Sequence, residues 1–280
     1  MVEIIMECPL CGYHKPHKHG KTSKGTQRYY CPECGQTFTE TFDTLYYRRQ
    51  IEPEKMRIVL QAHVEGSSLR GISRTVNLAY NTVVSLVRAA SKKGQMIHNA
   101  HVQNIETSQV SSDEFWSFVK KQKHCQMNEL TEGDCWIGMT QASSSGLILA
   151  TRVGKHTDQF IAELIANTEG KTNCKHWHTD DWGGYERVLP PEVKHIIGKD
   201  QTQQLERTNG MIRQQIGRWH RRQNKFGKVW AQTEITVRLA IAYFNWIWVH
   251  SRKENTAAQR AELAIAPWSW NDLIAYPTLC

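Results

Sequence analysis

The sequence predicts a multidomain protein: a small cysteine-bearing ribbon, an all-α segment, and then an α/β domain with a mixed sheet flanked by helices. Three observations predict it. Two CxxC pairs, "CPLC" and "CPEC", stand near the start. Apolar residues then recur at helical spacing through "EPEKMRIVLQAHVEGSSLRGISRTVNLAYNTVVSLVRAASKKG". Further on, strand-like runs are interleaved with amphipathic helices. The boundaries follow at 1–45, 50–95 and 105–280, and a chain of 280 residues suits two or three domains.

Hydrophobic residues make up 40% of the chain, enough for a true core. Lys and Arg number 35 against 27 Asp and Glu, a formal charge of +8. A basic chain favours a polyanionic partner, nucleic acid first. No apolar run approaches the ~18 residues of a membrane span, so no membrane partner is expected. The start, "MVEIIMECPL", lacks the basic and apolar regions of a signal peptide. A cytoplasmic, nucleoid-associated protein is expected. Its thiols are then reduced, and paired cysteines read as metal ligands before disulfides.

Cys8, Cys11, Cys31 and Cys34 form the two pairs, with nineteen residues between them. That length lets a hairpin bring both onto one tetrahedral Zn²⁺. Gly12 and Gly35 follow the pairs, where a positive φ relieves the turn. Strand-like residues surround the second pair in "QRYYCPECGQTFTE". The pattern is that of a zinc ribbon; a disulfide pair or a redox CxxC is the competing reading. His14, His17 and His19 lie between the pairs and can replace a ligand, although solvent-exposed histidines are the simpler account. Cys125, Cys135, Cys174 and Cys280 lack metal-ligand spacing and read as ordinary thiols.

In the second segment Pro53 suits a first helical turn, and Met56, Val59, Leu60 and Val64 line one helix face. Gly66 stops that helix. Ser67 or Ser68 can cap the next, which carries Leu69, Ile72 and Val76. After the turn "NLAY", Asn81 can cap a third helix with Val84 and Val87 inward and Asn81, Thr82, Ser85 and Arg88 outward. A helix, a short turn and a basic-ended helix make a helix-turn-helix pattern, with those four residues as its DNA-reading face. A plain three-helix bundle is the bland alternative. "GQMIHNAHVQNIETS" reads as a polar linker.

The third segment opens with strands in "QVSSDEFWSFVKK", "CWIGMTQAS" and "GLILATRVG". The amphipathic helix "TDQFIAELIANTEG" follows, with Phe160, Leu164 and Ile165 inward. "CKHWHTDD" and "VKHIIG" are further strands. Helices from about Thr202 to His220 and from about Trp230 to Val249 complete a mixed α/β layout. Carboxylates stand beside the first strand, at the end of a later strand and on a following helix. Converging in space, such a triad holds two divalent ions for phosphodiester chemistry, and hard oxygen ligands favour Mg²⁺. Glu206, Asn209 and Arg213 fall at i, i+3 and i+7 and share one helix face. With Arg207, Arg218, Arg221 and Arg222 nearby, that helix suits a DNA-lined cleft; a salt-bridged surface helix is the alternative.

Three blocks carry a resemblance. Asp113-Glu114-Phe115-Trp116, Thr179-Asp180-Asp181-Trp182 with Tyr185, and Glu206-Arg207-Thr208-Asn209 with Arg213 resemble the catalytic blocks of DDE transposases of bacterial insertion sequences. The nearest likeness is to the family whose transposase carries an N-terminal zinc ribbon and helix-turn-helix. The tail "FNWIWVHSRKENTAAQRAEL" resembles the ending of the same family. The resemblance covers nearly the whole chain. It implies an RNase H-like catalytic domain with Asp113, Asp180 and Glu206 as catalytic Mg²⁺ ligands, and a structural Zn²⁺ in front. Alignment to the family block selects Asp180 over Asp181, which stays in reserve. Side-chain alternation implies that Asp113 and Glu114 cannot both face the metals, so Glu114 points away or supports a neighbour.

The implied function is transposition: binding the terminal repeats of a mobile element, cutting at its ends and joining them to target DNA, with two ends held by a homo-oligomer. Arg207, Asn209 and Arg213 join the DNA contacts. The competing functions are a DNA-binding regulator with an inactive RNase H-like domain, and an RNase H-type nuclease without transposition.

Overall fold

The structure, a computed structural model, describes residues 7–23, 25–120, 131–180, 182–219 and 226–277. Strands β1 (His17–Lys21), β2 (Gln27–Tyr30) and β3 (Thr37–Thr39) form an antiparallel sheet in that order. Each CxxC turn closes the same way: the Gly12 amide donates to the Cys8 carbonyl at 2.8 Å and the Gly35 amide to Cys31 at 2.9 Å. Both glycines have positive φ, 75° and 67°, which an L side chain would oppose. The module's own core is Cys8, Cys31 and Phe38, with Tyr29 stacked on Phe38 at 5.7 Å. So few apolar groups cannot hold a sheet by themselves.

Helices α1 (Pro53–Val64) and α2 (Leu69–Val76) follow. The Ser68 hydroxyl caps α2 by accepting from the Gly71 amide at 3.0 Å. Asn77, left-handed at φ 51°, ends it. Helix α3 (Tyr80–His101) differs from the expectation at both ends. It starts one residue before Asn81, which lies in its first turn and caps nothing. It also absorbs much of the stretch read as a linker. That stretch looks polar, but Gly94, Ile97 and His98 are buried in it at helical spacing. His98 donates from Nε2 to the Leu149 carbonyl at 2.8 Å, an anchor in the sheet domain.

The second sheet has the order β6-β5-β4-β7-β8. Strands β4 (Val110–Val119), β5 (Gly133–Ala142) and β6 (Ile148–Gly154) are an antiparallel meander. Strands β7 (His176–Thr179) and β8 (Lys194–Ile197) run parallel to β4. Helix α4 (Asp158–Thr168) covers one face, where Gly138 and Gly154 leave room for the Phe160 ring. The short α5 (Gly184–Val188) lies beside α4. Helix α6 (Lys199–Gln215) and the 3-10 turn Gly217–Trp219 cover the other face, with Trp219 edge-on to Phe115 at 5.4 Å. This helix begins and ends earlier than "Thr202 to His220" implied; His220 itself lies outside the described residues. Helix α7 (Trp230–Ala242) packs on α3 and passes into a π-helical turn, Tyr243–Ile247. From that turn the Asn245 amide bonds both backbone groups of Ile148, at 3.0 and 2.9 Å. Helices α8 (Ala257–Arg260) and α9 (Trp270–Ala275) complete the chain. One hydrophobic core runs from Leu45 to Ile274, joining α1–α3 to the sheet and its helices. Among the described residues no helix is long and apolar enough to cross a membrane.

Gly66, between α1 and α2, packs directly on the end of α6. A Cβ there would lie 2.7 Å from the Gln215 carbonyl oxygen and the Gly217 nitrogen, and its φ is +81°. Gly66→Ala therefore combines a backbone clash with a disfavoured conformation. Chemical denaturation should read a loss of about 2 kcal/mol or more; unchanged stability would mean that the two segments do not meet there.

Candidate active site

The site is made by a difference in strand length. β7 pairs with β4 only at Val110↔Trp177 and Ser111↔His178. β7 ends at Thr179, while β4 runs on to Val119. Among the described residues nothing pairs with the β7 side of β4 from there until Gly227 bridges Val119 near the strand's end, and the chain turns away at Asp180, whose carboxylate accepts from the Trp182 amide at 3.2 Å. Carboxylate oxygens of Asp113, Glu114 and Asp180 all lie within 4.8 Å of one another at this edge.

The inclusion of Glu114 corrects the alternation argument. The two side chains do leave β4 on opposite faces. Asp113 turns towards α6 and accepts from the Asn209 amide at 2.6 Å. Glu114 turns towards α5, where the Tyr185 hydroxyl donates to it; its other oxygen is 3.7 Å from His156 Nε2. With no strand alongside, both carboxylates reach round the edge. Alternation forbids such a meeting only inside a continuous sheet.

Supporting groups surround the cluster. Tyr185 is fully buried, and its hydroxyl also lies 2.7 Å from Ser112 Oγ. His156 is sandwiched between Trp136 and Trp182, with ring centroids 4.1 and 3.9 Å apart. Burial, then the charges of Glu114 and Asp180, push the Asp113 carboxyl up to about 7, against the bond from Asn209. Like charges gathered in a half-buried place, with hard oxygens directed at one another, fit a divalent cation.

Glu206 does not join this group. It is exposed on α6, one turn before Asn209. Arg213 places its guanidinium 5.1 Å from the Phe115 ring centroid, so the Asn209–Arg213 face of α6 is turned to β4. Asn209 is 3% exposed, and its amide holds Asp113. This side chain, expected to contact DNA, is thus held against β4 with its amide on Asp113. Arg207 is exposed. Asp181, Arg221 and Arg222 lie outside the described residues. Sequence reasoning missed His156 and Trp136, which no motif marked. Tyr185 and Asn209 lay inside the family blocks, and that was the available signal.

A second cluster lies in the front module. Cys8, Cys11, Cys31 and Cys34 gather their sulfurs within 4.8 Å, with Cys8–Cys34 at 3.8 Å and Cys11–Cys31 at 3.5 Å. A tetrahedron whose corners are about 2.3 Å from a metal has edges of about 3.8 Å, so the donor set fits one ion. Burial pushes the Cys31 thiol up, but amides of Cys34 and Glu33 and the neighbouring thiols outweigh it and bring it down to about 7. His14 pairs with Glu7, and His17 and His19 lie against Tyr30; none of these histidines joins the sulfurs. Cys135 is buried and Cys174 half-buried, both as free thiols. Cys125 and Cys280 lie outside the described residues. On α3, Asn81, Ser85 and Arg88 are exposed and Thr82 half-exposed. The inward face there is Val83, Leu86 and Val87, and Val84 is only half-buried.

The chain has recognisable relatives. A family model described as IS1 transposase matches residues 108–245, which include Asp113, Glu114, Asp180 and Glu206. The insertion element iso-IS1n protein InsB of Shigella dysenteriae is 35% identical over 112 residues, covering 39% of this chain and 76% of that protein. The iso-IS1N protein InsA of the same organism is 26% identical over 88 residues, covering 31% of this chain and 93% of that protein. Among solved structures, the catalytic core domain of BIV integrase is similar at a TM-score of 0.38 and 16% identity, covering 55% of this chain and 93% of that one. A simian T-cell lymphotropic virus intasome, in complex with PP2A regulatory subunit B56 gamma, is similar at 0.41 and 10% identity, covering 72% and 73%. The carboxylate-bearing sheet and the matched segment coincide, and they define a bacterial insertion-sequence transposase. The chain belongs to the IS1 transposase family.

The crowding at Asp113 has a measurable sign. Its carboxyl is raised from an unfolded value near 4 to about 7. The resulting destabilisation is absent below the unfolded value, grows as pH rises between the two, and is complete above about 7. In metal-free buffer at pH 8, Asp113→Asn should therefore stabilise the fold by on the order of a few kcal/mol, an advantage that fades by about pH 4. Denaturant titrations across pH check this; a pH-independent difference would mean that the carboxylates do not repel.

Proposed function

We propose that this protein catalyses metal-dependent strand cleavage and strand transfer at the ends of its own mobile element. The observation that carries the reading is the meeting of Asp113 and Asp180 at the open edge of β4, within the family-matched segment. The mixed sheet with helices on both faces supports an RNase H-like catalytic domain over 105–280.

Asp113, Asp180 and Glu206 would hold Mg²⁺. Mg²⁺ bound there supplies Lewis-acid activation of the attacking hydroxyl and neutralisation of the leaving oxygen. Glu206 is a helical turn from Asn209, which already touches Asp113, so it belongs to the same face of α6. Asn209 fixes the Asp113 carboxylate. Tyr185 holds Glu114 beside it through a hydrogen bond, with His156 3.7 Å away, making Glu114 a buttress. Residues 1–45 form a zinc ribbon, and residues 50–95 present Asn81, Thr82, Ser85 and Arg88 to the terminal repeats. Arg207 and Arg213 contribute charge along the catalytic helix. Two ends processed together call for a homo-oligomer on double-stranded DNA. A regulator with an inactive catalytic domain would have no use for a carboxylate cluster supported in this way.

The test is nicking of element-end DNA in Mg²⁺. Glu206→Gln and Asp180→Asn should bind DNA nearly normally and lose nicking by ~10³-fold or more. Asp181→Asn should keep most activity. Full nicking by Glu206→Gln would discard the triad and favour the regulator.

For the front module, elemental analysis should find about one zinc per chain, lost in the Cys31→Ser, Cys34→Ser double variant together with much of the DNA affinity. Zinc retained by that variant would rule the ribbon out.

A further inference from the structure

A cleft of about 340 Å³ lies where α2 and α3 meet the chain on either side of residues 220–225. Arg70 and Arg88 enter it from α2 and α3; Arg218, from the 3-10 turn after α6, and Lys228, just before α7, enter it from the catalytic segment. Among its described lining residues none is acidic. The Arg70 guanidinium lies 5.0 Å from the centroid of the exposed Tyr80 ring, which fixes it at the rim. The approach of Gly66 to Gln215 and Gly217 holds the two walls together.

Among the described residues no carboxylate is paired with the charges of this cleft. Arg218 is half-buried, and burial pulls its pKa below the usual guanidinium value. Among the described residues no carboxylate pairs with it. A guanidinium stays protonated in a protein, so a partly desolvated one without a counter-ion is costly. Three more cations around it add repulsion. Folding alone gives no reason for this arrangement; a polyanion laid across both walls does. The charges are spread over four chain segments, as successive phosphates require. Arg88 also belongs to the exposed face of α3 with Asn81 and Ser85, so a duplex lying on that face continues into the cleft.

We propose that this cleft is a sugar-phosphate binding site for double-stranded DNA, shared between the front helices and the segment that follows the catalytic helix. It rests on the DNA-acting function above and adds a place where end binding and the catalytic segment grip the same backbone. Because the contacts are to phosphates, they position the duplex without reading its sequence.

The experiment is a titration of the full chain with a mixed-sequence DNA duplex, followed by fluorescence anisotropy over a range of KCl concentrations without divalent metal. An inactive carboxylate site leaves this measurement untouched. Arg218→Gln, Arg70→Gln and Lys228→Gln should each weaken binding and flatten the plot of log affinity against log salt by about 1. Lys194→Gln, on β8 away from the cleft, should leave the slope unchanged. Arg218→Gln should also melt no lower than the parent without DNA, since it removes an unpaired charge; a salt-bridging structural role would lower it. The Arg70→Gln, Lys228→Gln double variant changes only exposed side chains and stays informative if Arg218→Gln misfolds. Parental slopes in the folded double variant would overturn the cleft while leaving the DNA-acting reading in place. No DNA binding by the parent would overturn both.

Discussion

The early end of β7 beside the longer β4 is the constraint on which the candidate site depends. A strand pairs along its neighbour only as far as both continue. β7 stops at Thr179, one residue past its last pair with β4, while β4 continues to Val119. The backbone edge left there is a place where side chains of both faces can meet. Asp113 and Glu114 arrive from β4 and Asp180 from the end of β7. Had β7 run further, it would have separated Asp113 from Glu114 and carried Asp180 away from both.

Everything around that edge holds carboxylates that would otherwise separate. The Asn209 amide fixes Asp113 from the α6 face, and Tyr185 fixes Glu114 from the opposite one. Trp182, two residues past Asp180, is clamped through His156 onto Trp136 of β5. Two faces of the sheet thus brace one cluster of like charges. Such bracing opposes the native state's own electrostatics and leaves a cluster able to hold a cation.

The front of the chain follows another physical rule. Its three strands enclose only a few apolar side chains, so four sulfurs at the centre must supply what a core does not. The helices behind it have no such shortage. They share the sheet domain's core through α3 and α7, with His98 and Asn245 satisfying sheet backbone from the helical layer. The front helices and the carboxylate-bearing sheet are therefore braced against each other, and Gly66 packs directly on the end of α6.

Much of this was legible in the sequence, because the signals were local. Two CxxC turns with following glycines, the helical spacing of Val59, Leu60 and Val64, and the alternating strands each express short-range geometry. The family blocks pointed to Asp113 and Asp180 as members of one site. Misreadings arose where distant packing overrode local pattern. The supposed linker became the end of α3 because Ile97 and His98 had a partner surface in the sheet domain. Asn81 did not cap, because the helix began one residue earlier. Glu114 joined the cluster because a neighbouring strand ended, which no alternation in β4 itself records. His156 is the clearest case: nothing in its local sequence marks it, and only folding sets it between Trp136 and Trp182. By itself the sequence determined the elements and the residues able to carry the chemistry, since turn, helix and strand preferences act over a few residues. The tertiary structure alone decided which of those residues meet, because where one strand stops beside another is set by contacts far apart in the chain.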